Sequence, residues 1–429
     1  MTSSASGLRG FLTQLPRDGR WLLSTVVVQF LGRGLTLPFT IIYLHEVRGF
    51  ELGLAGTLMG VVAVIGMLVT APAGALIDKY GARPVILAGL ASAVAGDVVI
   101  AFATRPLITG LGLALFGVQL GVSWPAVNSL VATIVTGDLR QQYYGVSFAL
   151  LNLGIGLGGV LGGLVVDVDH PWTFTAAFLL NAASFLAPVV VLLGPLRHLH
   201  GRADQPASSE PAAPSSYVAI LSRPEVLVLT AIGVLLAMLG YGQIESGFPA
   251  FGRQVSEVST HVIGFAFVVN TAVIVLLQFT VLGRVAGRRR TRVLIVMSGV
   301  WALSWALLGL TGLVPGGVTA AAGVLLFQGV FGVGETLMQS TFPALTNDLA
   351  PDHLRGRYNA VNSASFQAGT ILGPVLAGFL LQHHLSAEFI VVMVAGSAAI
   401  TLMALVLERR VSATVNGLRA DQSWEPTGP

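Results

Sequence analysis

The sequence predicts an all-α polytopic membrane protein with twelve transmembrane helices in two pseudo-symmetric halves of six. Composition, the length of the apolar runs and an internal repeat support this prediction. Hydrophobic residues make up 54% of the 429 positions and charged residues only 10%, whereas about 25% charged residues is usual in soluble proteins. Mean hydropathy is +0.80. A soluble chain could not cover so much apolar surface with so few charges.

The apolar runs are long and lack the strict alternation of a membrane-spanning strand, so they favour helices. Each approaches the length of about 20 residues that a helix needs to cross a bilayer. We number the predicted spans 1 to 12 in chain order and place them at 21–44, 53–76, 84–104, 107–131, 143–166, 172–195, 225–250, 260–282, 291–313, 317–343, 357–382 and 387–408.

The remaining segments define the domain organisation. Residues 1–20 are basic and lack a cleavage site, so we expect a cytoplasmic lead rather than a signal peptide. Residues 196–224, rich in Pro, Ala and Ser, read as a flexible linker between the halves 21–195 and 225–408. Residues 409–429 form a C-terminal tail.

The distribution of basic residues predicts the orientation. With both termini in the cytoplasm, nineteen of the 23 Lys and Arg residues lie on the cytoplasmic side. Three lie outside, and Arg33 lies within span 1. Cytoplasmic loops of membrane proteins carry such an excess of positive charge. We therefore expect a multi-pass protein of the cell (inner) membrane with both termini cytoplasmic.

The two halves repeat one another. Phe116-Gly117 in span 4 matches Phe331-Gly332 in span 10 at an offset of 215, and the same offset relates Arg140 to Arg355. Parallel six-helix repeats with a substrate site near the membrane midplane are typical of one large class of secondary transporter.

A charged motif joins spans 2 and 3. Gly74, Asp78, Gly81 and Arg83 occur in the order G-x-x-x-D-x-x-G-x-R. Here the sequence resembles the major facilitator superfamily, whose signature loop has this form. The resemblance implies that Asp78 latches one half to the other, that Gly74 allows close packing and that Arg83 closes a charge network. Simple topogenic charge is the alternative.

The second half carries only part of this motif. Gly287 stands where the acid would be, so we expect a one-sided latch.

Glycines line one side of span 5. The four-residue spacing of Gly154, Gly158 and Gly162 places them on one helix face, where another helix can approach closely. Span 11 carries the equivalent Gly373, Pro374 and Gly378. This pattern is similar to the span 5 motif of the twelve-span drug:proton antiporters in the superfamily, although Gly159 replaces the usual proline. Ordinary small-residue packing explains it equally well, and both interpretations predict a helix interface.

Intramembrane charge is costly and usually functional. The proton or substrate candidates are Arg33, Asp97, Glu245 and Glu335. Glu335 is the preferred proton site, because helical spacing places it on one face with Gln328, Gly332 and Gln339, and this polar stripe should face a cavity.

The other three candidates leave alternatives open. Arg33 could be the counter-ion of Glu335 or bind an anion. Asp97 could pair with another helix, and Glu245 could lie on an exposed outer rim. Span 4 lacks the arginine that many proton-coupled relatives carry there, so the resemblance alone does not imply proton coupling.

Polar and aromatic side chains within the spans are candidates for lining the substrate cavity. A mixed lining suits amphipathic organic molecules, although most of these side chains should prove to be hydrogen-bonding partners between helices. The candidates are Gln29, Gln119, Trp124, Asn152, Tyr241, Gln243, Gln328, Gln339 and Gln367.

The resemblance implies a monomeric secondary transporter rather than an enzyme, exporting amphipathic compounds by alternating access in exchange for protons. We expect no metal or cofactor and no nucleic-acid partner. The expected partners are a small-molecule substrate and the lipid bilayer, with a proton gradient as the energy source. The alternatives are an importer or uniporter of a metabolite, possibly anionic, and a membrane sensor or enzyme on the same scaffold.

Overall fold

A computed structural model of the chain describes residues 8–135, 137–199, 201, 220–285, 287–351 and 355–418. These residues are predominantly helical and contain no β-strand. Twelve of the helical segments are long and apolar enough to cross a membrane. The predicted class and number of spans are confirmed.

The chain forms two compact units, Met1–Pro206 and Ala207–Pro429. Their boundary lies inside the segment 196–224.

Unit 1 contains spans 1 to 6, and a short helix, Leu8–Gln14, precedes span 1. The helices of these spans are Arg17–Thr36, Thr40–Ile42 and Tyr43–Val47 (span 1), Leu52–Tyr80, Ala82–Phe102, Pro106–Ile134, Gly137–Val165, and Trp172–Ser184 with Leu186–Leu193 (span 6).

Unit 2 contains spans 7 to 12. The helices are Pro224–Leu239, Gln243–Gly247 and Phe248–Gln254 (span 7), Thr260–Val285, Arg290–Thr311, Gly317–Leu349, Arg355–Gln382 and Ser386–Glu408.

Several helices extend beyond the apolar run that predicts them. Span 1 begins at Arg17, directly after Pro16, whose extended backbone precedes the first helical turn. Span 10 continues six residues past the predicted end, through Leu349. An apolar run marks only the part of a helix that crosses hydrocarbon, and the backbone stays helical in the polar interface.

Spans 1 and 7 are not continuous α-helices. Span 1 is interrupted after Thr36, close to Pro38, and ends in a π-helical turn, Tyr43–Val47. Span 7 is interrupted after Leu239, at Gly240, and contains a π-helical turn, Gln243–Gly247. Such wide turns are frequent at functional positions.

The two units pack their helices in the same way. In unit 1, span 1 contacts span 5, and span 4 contacts spans 2 and 3. In unit 2, span 7 contacts span 11, and span 10 contacts spans 8 and 9. The repeat in the sequence therefore corresponds to a repeat in the fold.

Candidate functional site

Span 5 lies directly against span 1, and glycines allow this approach. A Cβ atom at Gly154 would lie 2.8 Å from the carbonyl oxygen of Val27. A Cβ at Gly158 or Gly162 would also meet the backbone of span 1. This is the close helix contact that the four-residue spacing predicts.

Span 11 approaches span 7 in the same manner. A Cβ at Gly373 would lie 2.9 Å from the Cα of Gly242 and 3.0 Å from the carbonyl oxygen of Met238. Pro374 lies beside the same contact, with its Cδ 3.4 Å from a Cβ placed at Gly242. Gly378 is buried one turn further along span 11.

Glu335 in span 10 lies at the centre of a polar cluster. The Nδ2 of Asn270, in span 8, lies 3.5 Å from its Oε2. The hydroxyl of Tyr241, in span 7, lies near the Glu335 carboxyl group, and the side-chain amide of Gln339 donates to that hydroxyl. Three spans thus converge on one half-buried carboxyl group.

The polar neighbours of Glu335 in this cluster are all uncharged. An ionised carboxylate can accept hydrogen bonds from hydroxyl and amide groups such as these, whereas a protonated one can donate a hydrogen bond itself. The cluster can therefore accommodate both protonation states of Glu335. An isolated charge is expensive in an apolar bundle, so such a group is suited to exchanging a proton.

The polar stripe predicted on span 10 is only partly accessible. Gln328 is completely buried, and neither atom of its side-chain amide has a hydrogen-bond partner among the described residues. Glu335 and Gln339 are half-buried. A Cβ at Gly332 would lie 3.1 Å from the side chain of Asn270, so span 8 crosses span 10 at this point. Packing of span 10 encloses Gln328 in this structure, and its place in a substrate cavity stays a prediction.

Unit 1 contains a second buried acid. Asp97 in span 3 is 2% exposed, and its Oδ2 accepts a hydrogen bond of 2.9 Å from the side-chain amide of Asn181 in span 6. The same amide nitrogen lies 3.4 Å from the hydroxyl of Thr36 in span 1. Asp97 thus pairs with another helix, as one of the sequence-based alternatives proposed.

Arg33, in span 1, lies within electrostatic range of this acid. Its charge acts on Asp97, and its guanidinium carbon lies 4.6 Å from the centre of the Phe116 ring in span 4. Such a cation–π contact stabilises a guanidinium group away from water. Within unit 1 the acid near Arg33 is therefore Asp97, an arrangement that the sequence did not predict.

Among the remaining amide candidates, Gln243 joins two helices, whereas Gln119 and Asn152 hydrogen-bond within their own helix. Gln243 is completely buried and donates a hydrogen bond of 3.0 Å to the carbonyl of Gly373 in span 11. Gln119 is also buried, and its amide lies 3.3 Å from the Ser123 hydroxyl on the same helix. Asn152 donates to the carbonyl of Phe148, one turn earlier.

Four further candidates also retain accessible surface. Gln29, Glu245 and Gln367 are half-buried, and Trp124 is 58% exposed. Glu245 lies in the π-helical turn of span 7 rather than on a fully exposed rim. No group of three or more His, Asp or Glu side chains that could hold a metal ion occurs in the part of the chain that the structure describes.

The motif between spans 2 and 3 forms a tight turn. Gly81 has a φ of +89°, a conformation that favours glycine, and span 3 begins at the next residue. Arg83 donates hydrogen bonds of 2.9 Å to the carbonyl groups of Leu192 and Arg197, at the end of span 6. In this structure Arg83 therefore ties two helices of one unit together, and its part in a network of charges stays a prediction.

The other two residues of this motif give less support to a latch. A Cβ at Gly74 would meet no atom of the described residues within 4 Å, so the close packing expected there is not observed. The side chain of Asp78 lies outside the described part of the structure. Its latch role stays a prediction.

The equivalent connection in unit 2 takes its acids from elsewhere. Gly287 makes the turn with a φ of +75°. Arg289 and Arg292 contact Glu408 at the end of span 12, at 2.6 and 3.1 Å. Arg290 contacts Asp348 at the end of span 10, also at 2.6 Å. These basic residues therefore bind the ends of spans 10 and 12.

Two residues that contact the acids of the membrane spans were not among the predicted site residues. Asn181 holds Asp97, and Asn270 holds Glu335. Each is the single asparagine near the middle of an apolar span. A buried amide needs hydrogen-bond partners. A lone asparagine in the middle of an apolar span is therefore the sequence feature that could have identified these two residues.

Comparison with known sequences identifies relatives across nearly the whole chain. The sequence model of the Major Facilitator Superfamily matches residues 22–299 and 256–428. YttB of Bacillus subtilis, an uncharacterized MFS-type transporter, is 24% identical over 376 residues, which cover 86% of this chain and 90% of YttB. The quinolone resistance protein NorA of Staphylococcus aureus is 23% identical over 394 residues, covering 91% of this chain and 96% of NorA.

Solved structures share the fold. A POT family transporter in complex with 5-aminolevulinic acid superimposes with a TM-score of 0.75 at 14% identity, covering 93% of this chain and 97% of that one. The nucleoside transporter NupG gives a TM-score of 0.71 at 14% identity, covering 92% of this chain and 99% of that one.

Proposed function

The chain belongs to the Major Facilitator Superfamily, and we propose that it exports amphipathic organic compounds from the cell in exchange for protons. It is a multi-pass membrane protein with twelve candidate spans. We place it in the cell membrane with both termini cytoplasmic, on the basis of the distribution of Lys and Arg. Transport proceeds by alternating access to a site near the membrane midplane.

One observation carries the proton-coupling part of this proposal, namely the hydrogen-bonded environment of Glu335. Tyr241, Asn270 and Gln339 surround the carboxyl group with uncharged partners from three spans. A proton taken up by Glu335 removes a charge from the apolar bundle and changes which helices the carboxyl group binds best. Proton binding can thereby shift the balance between transporter states, as any ligand with unequal affinity for two states does.

The direction of transport and the substrate class have separate support. NorA, a quinolone resistance protein by name, is related over almost its full length. The glycine contact between spans 1 and 5 occurs at the position where the drug:proton antiporters carry their glycine-rich motif. Arg33 lies beside an acid and an aromatic ring of its own unit. We therefore assign it to the structure of unit 1 rather than to an anionic substrate.

Reconstitution in proteoliposomes tests the proposal. We expect the wild-type protein to accumulate aromatic amphipathic fluorophores against their gradient when a pH gradient is imposed. Glu335→Gln retains the shape and hydrogen bonding of the side chain but cannot titrate. This variant should still exchange fluorophore across the membrane without a gradient and should lose accumulation driven by pH.

Glu388→Gln is the matched control, because Glu388 lies exposed in the first turn of span 12. It should behave as the wild type. Full uphill transport by Glu335→Gln would contradict the assignment of the proton site. Absence of any fluorophore transport by the wild type, under either gradient, would contradict the proposed substrate class.

A further inference from the structure

Unit 1 contains an aromatic pocket, whereas the Glu335 cluster lies in unit 2. Its volume is about 440 Å³, and it lies between spans 4 and 5. The lining residues are Trp124, Asn128, Tyr144, Ser147, Phe148 and Leu151. This volume falls within the range of about 300–1,000 Å³ that is typical of small-molecule sites.

Helical spacing brings the lining side chains together. Trp124 and Asn128 are four residues apart on span 4, so they share one face of that helix. Tyr144, Ser147 and Phe148 follow the same spacing on span 5. Trp124 and Phe148 are 58% and 38% exposed, respectively, although they are large aromatic residues. The pocket therefore offers aromatic surface that the neighbouring helices do not cover.

Polar groups accompany this aromatic surface. Neither the amide of Asn128 nor the hydroxyl of Ser147 has a hydrogen-bond partner among the residues that the structure describes. The indole nitrogen of Trp124 likewise has none within those residues. A ligand entering the pocket would meet both ring faces and free hydrogen-bonding groups.

The charge near the pocket selects among such ligands. None of the six lining residues is acidic. Arg140 lies one helical turn before Tyr144 on span 5, and this four-residue spacing places both side chains on one face of the helix. An organic cation would therefore meet a like charge here, whereas an anionic group would meet an opposite one.

We propose that this pocket binds flat aromatic compounds with a hydrogen-bonding edge, either uncharged or anionic, and disfavours aromatic cations. The pocket lies towards the connection between spans 4 and 5, which the proposed orientation places on the cytoplasmic side. An exporter takes up its substrate on that side. The role in transport rests on the proposed function, whereas binding itself can be measured without transport.

A matched series of naphthalene ligands provides the test. The carboxylate, the carboxamide and the methylammonium derivative share one ring system and differ in charge. Binding of each to the full-length protein in lipid nanodiscs can be measured by isothermal titration calorimetry. We expect the carboxylate and carboxamide to bind more tightly than the ammonium compound, by about 1.5- to 5-fold if the charge effect equals one partly exposed ion pair.

Variants locate the binding site. Trp124→Leu should weaken the carboxylate and carboxamide by about 2- to 10-fold, the contribution of one aromatic contact. Phe148→Leu, a smaller change, should weaken them in the same direction if Trp124→Leu fails to fold. Trp172→Leu is the control, because Trp172 is 67% exposed at the start of span 6 and lies outside the pocket. Arg140→Gln should weaken the carboxylate selectively.

The outcomes separate this inference from the proposed function. Equal binding by Trp124→Leu, Phe148→Leu and Trp172→Leu would overturn the pocket assignment, as would tightest binding of the ammonium compound. Loss of proton-coupled transport with the predicted binding pattern intact would overturn the proposed function and leave the pocket standing. Uphill transport of the same ligands, unaffected by Trp124→Leu and Phe148→Leu, would remove the pocket from the transport route.

Discussion

At the scale of single residues, the buried acid of unit 1 and its neighbours make the clearest energetic prediction. Asp97 is almost inaccessible and is held by Asn181, with Arg33 beside it. Asp97→Asn changes the acceptor of the Asn181 hydrogen bond, and Arg33→Met removes a positive charge near Asp97. We expect Asp97→Asn and Arg33→Met each to lower the free energy of unfolding by about 1–3 kcal/mol, the cost of an unmade hydrogen bond to a charged group.

The double variant Asp97→Asn/Arg33→Met should be less destabilised than the sum of the single variants. A coupling of about 0.5–3 kcal/mol is usual for residues in contact. This coupling energy can be measured by steric trapping, which reports the free energy of unfolding of each purified variant in detergent. Strict additivity would show that Arg33 and Asp97 act independently.

The sequence identifies which charges lie within the membrane but not which of them meet. Arg33, Asp97 and Glu335 all stand out because each interrupts an apolar run. Whether Arg33 approaches Asp97 depends on how spans 1, 3 and 6 are rotated and which of them are neighbours. An apolar run says little about how its helix is rotated about its own axis, because the lipid on one side and the buried neighbouring helices on the other are both apolar. Pairing of charges was therefore not predictable from the sequence.

At the scale of helices, the contact between spans 1 and 5 depends on the absence of side chains. A Cβ at Gly158 would overlap the backbone of span 1, whereas a Cβ at Gly145, on the same helix, would meet no described atom within 4 Å. We expect Gly158→Ala to destabilise the protein by about 1–3 kcal/mol, as overpacking does. Gly145→Ala should leave the thermal stability unchanged or slightly raise it, and equal melting temperatures for the two variants would contradict this contact.

The breaks in spans 1 and 7 were not predicted. Hydropathy averages over many residues and registers a continuous apolar run across Pro38 and across Gly240. The glycine interfaces were easier to predict, because a four-residue spacing fixes one helix face directly. Features that depend on periodicity could thus be read from the sequence, whereas features of local backbone geometry could not.

At the scale of the whole molecule, the two halves share a fold but differ in chemistry. Arg33 precedes Gly34 in unit 1, and Tyr241 precedes Gly242 at the matching glycine contact in unit 2. The Arg33 side chain lies near the buried Asp97, and the Tyr241 hydroxyl lies near the Glu335 carboxyl group. Titration of Glu335 would therefore change unit 2 without an equivalent change in unit 1.

The proposed latch also belongs to this scale. Asp78→Asn should shift the transporter towards its inward-facing state, because it removes a charge from the cytoplasmic motif. A latch worth about 1–3 kcal/mol would change the ratio of the two states about 5- to 150-fold. Distances between spectroscopic labels on the cytoplasmic ends of the two halves would report the shift. Asp169→Asn, in an exposed connection, is the control, and identical distance distributions for the two variants would reduce Asp78 to a topogenic charge.

The central claim is that the protein moves substrate and protons in opposite directions and that Glu335 carries the protons. It is tested most directly by trapping a pH-sensitive dye inside proteoliposomes and imposing a gradient of an aromatic substrate alone. Downhill movement of substrate through the wild-type protein should drive protons the other way and change the internal pH, whereas Glu335→Gln should pass the substrate without that change. Substrate movement through the wild type at constant internal pH, or an equal pH change with Glu335→Gln, would contradict the claim.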